Sequence, residues 1–308
     1  MSNESLSTVR SAGERTGAQR RLVVGVDGSP ESDAALRWAM AVAQPTDVID
    51  AVHVWDVPVA IGYETAIVID PDEVADAARD FLAQIIAEVD DDRVRPVLER
   101  GNAGTRLVEC AAGADGVVLG HRGRSRVSMM LGSVATHVLH HVSIPVVILR
   151  GDHSGTPRHV VVGADDHDLV ISDDADGPVA GTNESVRALQ WAWSLPGVER
   201  VTVVHGWFLP AVVTGWYAGP GPDTVAMDAA AEAVAAHVVQ AAGPAPDGVD
   251  VDIVARRGTG PFALIEESRT ADLVVVGSRG RGTLRGLLLG STSAELTAYA
   301  HSPVAVVR

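Results

Sequence analysis

The chain has 308 residues, 46% of them hydrophobic but only 4% aromatic, and carries 40 Asp and Glu against 24 basic residues for a formal charge of −16. That length points to two domains of about 150 residues each, and the acidic surplus argues against nucleic acid or an anionic membrane as a general partner, because a polyanion would be repelled. All the basic residues are Arg, which excludes a Walker A lysine, the kinase strand lysine and Schiff-base chemistry, all of which need an ε-amine.

In chain order, residues 1–20 are polar and charged with no apolar h-region, and read as a disordered leader of a soluble, cytoplasmic protein. The run RLVVGV ending at Asp27 suits a buried parallel strand. Ser29 followed by Pro30 is an N-cap with proline at the first helical position, and Ala34, Ala35, Trp38 and Val42 recur at helical spacing. A strand is expected over Val48–Val54, then a long amphipathic helix over Asp72–Asp90 with Phe81, Ile85 and Val89 on one face. Strand Val94–Leu98, helix Thr105–Gly113, strand Gly116–Leu119, a glycine loop, a helix from Gly132 and strand Ile144–Leu149 complete the first half. Cys110 stands alone, so no intrachain disulfide framework or multi-cysteine metal site exists; in its Ala-rich helical pattern it reads as a small hydrophobe.

The second half repeats the order. Strand HVVVGA ends at Asp165, and then come helix Val186–Leu195, strand Val201–His205, helix Asp223–Ala242, strand Val251–Val254, helix Pro261–Arg269, strand Leu273–Val276, a helix from Ser291 and strand Pro303–Val307. The expectation is an α/β chain of two tandem doubly wound domains, over 21–150 and 158–308, each a five-stranded parallel sheet flanked by helices. An acidic insertion over 165–182 interrupts the second repeat; its aspartates could recruit Mg²⁺ beside a triphosphate, close over the site, or form a solvated loop.

The fourth strand of each half empties into glycines and then a helix opening with Gly-Ser, an arrangement that points backbone N–H groups at an anion. In the second copy the set is Gly277, Gly280, Gly290, Ser291; in the first it is Gly120, Gly123, Gly132, Ser133, with eight residues rather than nine between the last two glycines. The missing residue would tilt the cradle or be absorbed as a tighter loop. Ligands of open α/β sheets collect at the carboxyl ends of strands where the strand order reverses. If strands one and four are neighbours there, Asp27 faces the Gly120 loop and Asp165 the Gly277 loop, with glycine allowing close main-chain approach and positive φ where needed.

With these residues in view, the chain resembles a tandem universal stress protein of the ATP-binding branch, whose signature is G-2x-G-9x-G followed by Ser or Thr. Gly277, Gly280, Gly290 and Ser291 match it fully, and the first copy matches with one spacer residue missing. The pairs VGVD and VGAD, VHVW and VHGW, IPVVILR and SPVAVVR add to the likeness. The resemblance implies a Rossmann-like, adenine nucleotide alpha hydrolase-like fold. It also implies nucleotide contacts at Gly25, Val26, Asp27, Val54, Gly120, Arg122, Gly123, Gly132, Ser133 and Val134, and at Gly163, Ala164, Asp165, Gly206, Gly277, Arg279, Gly280, Gly290, Ser291 and Thr292. The cofactor it implies is ATP, with or without Mg²⁺, for a nucleotide-dependent stress-response regulator that is not an enzyme. A slow ATP hydrolase or phosphotransferase, and a nucleotide-free scaffold, are the alternatives. The apolar last strands need cover, so the repeats are expected to pack about a pseudo-twofold axis, and a homodimer through the same strand-five edges is a further expectation.

Other features read as structural. His137, His140 and His141 have metal-ligand spacing but no carboxylate or Cys beside them, and His53 and His205 recur at equivalent strand ends. Trp55, Tyr63, Trp207, Phe208, Trp216 and Tyr217 mark either a surface for an unknown protein partner or a cover for the long helices.

Overall fold

The structure, a computed structural model, describes residues 19–57, 70–123, 131–165, 184–208, 223–278 and 289–308. The leader to residue 18, the insertion after Asp165, and Tyr63, Trp216, Tyr217, Arg279 and Gly280 lie outside the described residues. The first half contains β1 (Arg21–Gly25), α1 (Pro30–Val42), β2 (Val48–Trp55), α2 (Pro71–Val89), β3 (Val94–Arg100), α3 (Ala103–Cys110), β4 (Gly116–Gly120), α4 (Ser133–His141) and β5 (Val146–Leu149). The second contains β6 (His159–Gly163), α5 (Glu184–Trp193), β7 (Arg200–Trp207), α6 (Thr224–Ala242), β8 (Asp250–Arg257), α7 (Gly260–Glu267), β9 (Leu273–Gly277), α8 (Ser291–Tyr299) and β10 (Val304–Val307).

Local chemistry starts the helices. Ser29 caps α1 by accepting from Ser32 N, with Pro30 in the first turn; Asp70 caps α2, one residue before Pro71; Asn102 caps α3, which therefore begins at Ala103 rather than Thr105. Strands β2 and β3 run past the apolar stretch because their ladder continues through Trp55 and Arg100.

All ten strands form one sheet in the order β3-β2-β1-β4-β5-β10-β9-β6-β7-β8. Every pairing is parallel except β5 with β10, where Val304 faces Ile148, Ala305 faces Val147 and Val306 faces Val146. The order is palindromic, as a pseudo-twofold axis between the repeats requires. These six apolar side chains are 3% exposed or less, and burying a Val or Ile is worth about 1.5–3 kcal/mol, so separating the halves would be costly. Both strands are hydrogen-bonded on two sides, β5 to β4 and β10, β10 to β5 and β9. A homodimer through strand-five edges is therefore corrected: no free backbone edge remains there, because the chain closes it on itself.

Successive strand residues point to opposite faces, and each face carries a core that runs through both repeats. Val24, Val118, Val147, Val162 and Ala305 pack under Trp38, Leu82, Leu189 and Val238 of α1, α2, α5 and α6. On the other face, Val23, Val117, Ile148, Val161 and Val306 pack under Leu107, Val138, Leu264 and Leu296 of α3, α4, α7 and α8. Among the described residues no helix is long and apolar enough to cross a membrane.

Candidate functional site

In each repeat the strand order reverses beside the first strand: β1 lies between β2 and β4, and β6 between β7 and β9. The crevice that this reversal opens at the carboxyl ends of the strands holds a cavity in both halves. All ten residues expected in the first half, Gly25, Val26, Asp27, Val54, Gly120, Arg122, Gly123, Gly132, Ser133 and Val134, line a cavity of about 410 Å³. In the second half Gly163, Ala164, Asp165, Gly206, Gly277, Gly290, Ser291 and Thr292 line one of about 370 Å³.

Asp27 is held by its neighbours. Its Oδ1 accepts from Ser29 N at 3.0 Å and Ser29 Oγ at 2.6 Å, and its own N–H donates to Ser32 Oγ at 3.3 Å. The corresponding bond in the second half runs from Asp165 N to Ser185 Oγ at 3.0 Å. The partners are five residues apart in the first repeat and twenty in the second. The fifteen-residue difference is the insertion, and the bond survives it. Ser32 and Ser185 line their cavities and escaped the sequence reading because the insertion hides their equivalence. His53 Nδ1 lies 2.8 Å from Val26 O and His205 Nδ1 2.9 Å from Ala164 O, so each imidazole braces the residue before the aspartate.

The glycine loops are pinned alike. His121 N donates to Leu149 O and Gly132 N to His121 O; Ser278 N donates to Val307 O and Gly290 N to Ser278 O. The ends of the shorter first spacer thus keep the hydrogen bonds of the longer copy. None of Gly120, Gly123, Gly132, Gly277 or Gly290 has positive φ, so of the two freedoms glycine offers, left-handed backbone is not the one used there. Close approach is the reason for glycine at the strand ends: a Cβ on Gly120 would sit 2.8 Å from Glu31 Cβ, and one on Gly277 2.7 Å from Glu184 Cβ. At Gly123 a Cβ would run into Asp27 Oδ2.

Seven helices have a described N-cap residue. Ser29, Asp70, Asn102, Asp223 and Thr259 cap five of them through the side chain. The two without such a bond, α4 behind Gly132 and α8 behind Gly290, line the cavities with their first three residues, Ser133 to Ala135 and Ser291 to Ser293. First-turn N–H groups have no intrahelical partner, so both helices turn uncompensated donors and the positive end of the helix dipole toward the crevice.

Arg122 lines the first cavity, and its buried Nε has no hydrogen-bond partner among the described residues. Behind it His121 is 3% exposed, with Nε2 2.5 Å from Arg150 Nη2. Burial, and then the charges of Arg150 and Arg122, push its pKa down from 6.5 to about 4, so the ring is neutral and accepts from Arg150.

The family model of the universal stress protein family matches residues 19–150 and again 177–308. The chain belongs to the universal stress protein family. β6 precedes the second match but pairs with β7 and β9, which places it in the second repeat. A universal stress protein of Mycolicibacterium smegmatis is 31% identical over 298 residues, covering 93% of this chain and 96% of that protein. One from Mycobacterium tuberculosis is 33% identical over 304 residues, covering 94% and 97%. A crystal structure of a universal stress protein from Archaeoglobus fulgidus shares the fold with a TM-score of 0.58 at 20% identity, covering 94% of this chain and 96% of that one.

The remaining features of the sequence fall outside the cavity chemistry. His137 stacks on His141 at 4.1 Å and packs against Gly104, and His141 Nδ1 lies 2.7 Å from His137 O; among the described residues no group of three or more metal-ligating side chains assembles. Burial, followed by Glu99 and Asp50, pushes the Cys110 thiol up, which keeps it protonated at neutral pH. Trp207 donates from Nε1 to Asp228 on α6 and carries Arg257 over its ring, as Trp55 carries Arg100. It covers the long helix, while Phe208 stands 56% exposed and lines the second cavity.

Proposed function

We propose that this universal stress protein binds ATP in each of its two cavities and serves as a nucleotide-dependent regulatory protein of the stress response, without being an enzyme. The observation that carries this reading is the pair of uncapped helix N-termini, α4 and α8, each facing an aspartate across a strand-order reversal. The residues fit the nucleotide. In the first cavity the Ser133 and Val134 amides and Arg122, whose Nε lacks a partner among the described residues, would hold phosphate oxygens, and Asp27 would accept from ribose hydroxyls or the adenine amine. Ser291, Thr292 and Asp165 would do the same in the second. The apolar side chains of Val52, Val54 and Leu107 suit a purine. ATP would supply the anion and the base; that the lysine-free chain brings none of the phosphate-activating amines of the familiar phosphotransferases supports regulation through occupancy over turnover.

Isothermal titration with ATP is expected to give two sites per chain, falling by one in Asp27→Ala and by one in Asp165→Ala. No heat with ATP, ADP or AMP would overturn the proposal. Turnover of ATP at ordinary enzyme rates, lost on substitution of Gly120 or Gly277, would replace it with the hydrolase reading.

A further inference from the structure

We infer that Arg150 and Arg308 are crossed positioning residues, each holding the helix that forms the other repeat's anion cradle; this rests on the two-cavity reading above. Arg150 follows β5 in the first repeat, yet its Nη2 donates to Ala298 O at 2.7 Å and Thr297 O at 3.1 Å, in the last turn of α8. Arg308 follows β10 in the second repeat, and its Nη2 donates to Leu139 O, in the last turn of α4. Among the described residues no carboxylate forms a salt bridge with Arg150; its contacts are these two carbonyls and the imidazole of His121.

The antiparallel β5–β10 pair generates the crossing, because it carries the residue after each strand into the opposite repeat. The last four carbonyls of a helix lack intrahelical donors, and a cation there complements the negative end of the dipole. The opposite end of α8 lines the second cavity and that of α4 the first. Helices of nine residues are about 13 Å long, too far for strong direct attraction between guanidinium and bound anion. The arginine acts instead by fixing where the helix, and therefore its first-turn amides, sits. Each cradle is thus completed by the other repeat.

The test uses the full chain, with Asp165→Ala leaving the first cavity to report and Asp27→Ala leaving the second. Arg308→Gln is expected to weaken ATP binding about three- to tenfold in the first cavity, the range of a lost helix-terminal cation, and to leave the second unchanged. Arg308→Lys, which keeps the charge, should recover most of the loss. Arg150→Gln should weaken the second cavity by a similar factor. Amide hydrogen exchange reads the same latch without nucleotide: Arg308→Gln should speed exchange in α4 and not α8, and Arg150→Gln should speed it in α8. Equal weakening of both cavities by Arg308→Gln, or faster exchange spread evenly over α4 and α8, makes the arginine a general brace and overturns the inference. If the unmodified chain binds no adenylate, the nucleotide reading fails while the exchange pattern still decides the latch. If Arg308→Gln does not fold, exchange in α8 of Arg150→Gln decides it.

Discussion

Lowering the pH from 7.5 to 5 should remove the stability that His121 contributes. It is 3% exposed and accepts from Arg150 at 2.5 Å, and a proton on its ring would both abolish that acceptor and add a third positive charge beside Arg150 and Arg122. The folded pKa is about 4 and the ordinary value 6.5. Because the folded value is depressed, the stabilisation is complete above the unfolded pKa and is lost as the unfolded chain takes up a proton that the native state refuses. The loss begins near pH 6.5 and is complete below pH 4; the full difference is about 3 kcal/mol, of which about 2 kcal/mol has gone by pH 5. His121→Ser, which installs the residue that the second repeat carries as Ser278, removes the titrating group. Urea denaturation of both proteins at pH 7.5, 6 and 5 should therefore show the unmodified chain losing its advantage over the variant by about 2 kcal/mol across the series. A stability difference that stays constant from pH 7.5 to 5, or an NMR titration placing His121 near 6.5, would refute the reasoning.

Gly123→Ala should weaken ATP binding in the first cavity about tenfold or more and spare the second, as titration in the Asp165→Ala background would show, because its Cβ meets an Asp27 carboxylate that two bonds from Ser29 keep from turning away. Gly120→Ala should destabilise the fold by about 1–3 kcal/mol in denaturation, since the new methyl meets Glu31 backbone C at 2.9 Å and O at 3.1 Å, atoms that can yield only by shifting α1. Burial alone would raise the pKa of Asp47, but the Arg20 side chain and the amides of Gln44 and Arg20 outweigh it and hold the carboxyl below the usual range. Its stabilisation is present above about pH 4 and lost as pH falls through the depressed value. Asp47→Ala should accordingly cost on the order of 3 kcal/mol at pH 7, a cost that shrinks as the pH is lowered below about 4, as urea midpoints along an acid series would reveal.

Much of the fold is local and was legible for that reason. Ser29-Pro30 starts α1 through a hydrogen bond three residues long, and runs such as Leu273–Val276 are apolar throughout because both faces of β9 are covered by helices. The duplicated glycine loops identified the cavities, since an uncapped helix behind Gly132 or Gly290 is itself a feature of a few adjacent residues. The strand ends were less legible, because pairing with a neighbour carried β8 to Arg257, beyond its apolar segment.

What the sequence by itself determined is each repeat's set of strands and helices, and which loops converge on a cavity, because periodicity, capping and glycine spacing act within a few residues. Tertiary structure alone decided that β5 and β10 close on each other, that Asp165 finds Ser185 across the insertion, and that Gly206 must lack a side chain because Gly260 Cα would lie 2.8 Å from it. It alone buried His121 and sent Arg150 and Arg308 into the opposite repeat. Each of these is a contact between residues far apart along the chain, set by how two layers of helices pack on one shared sheet, and such contacts leave no periodic trace in the order of the amino acids.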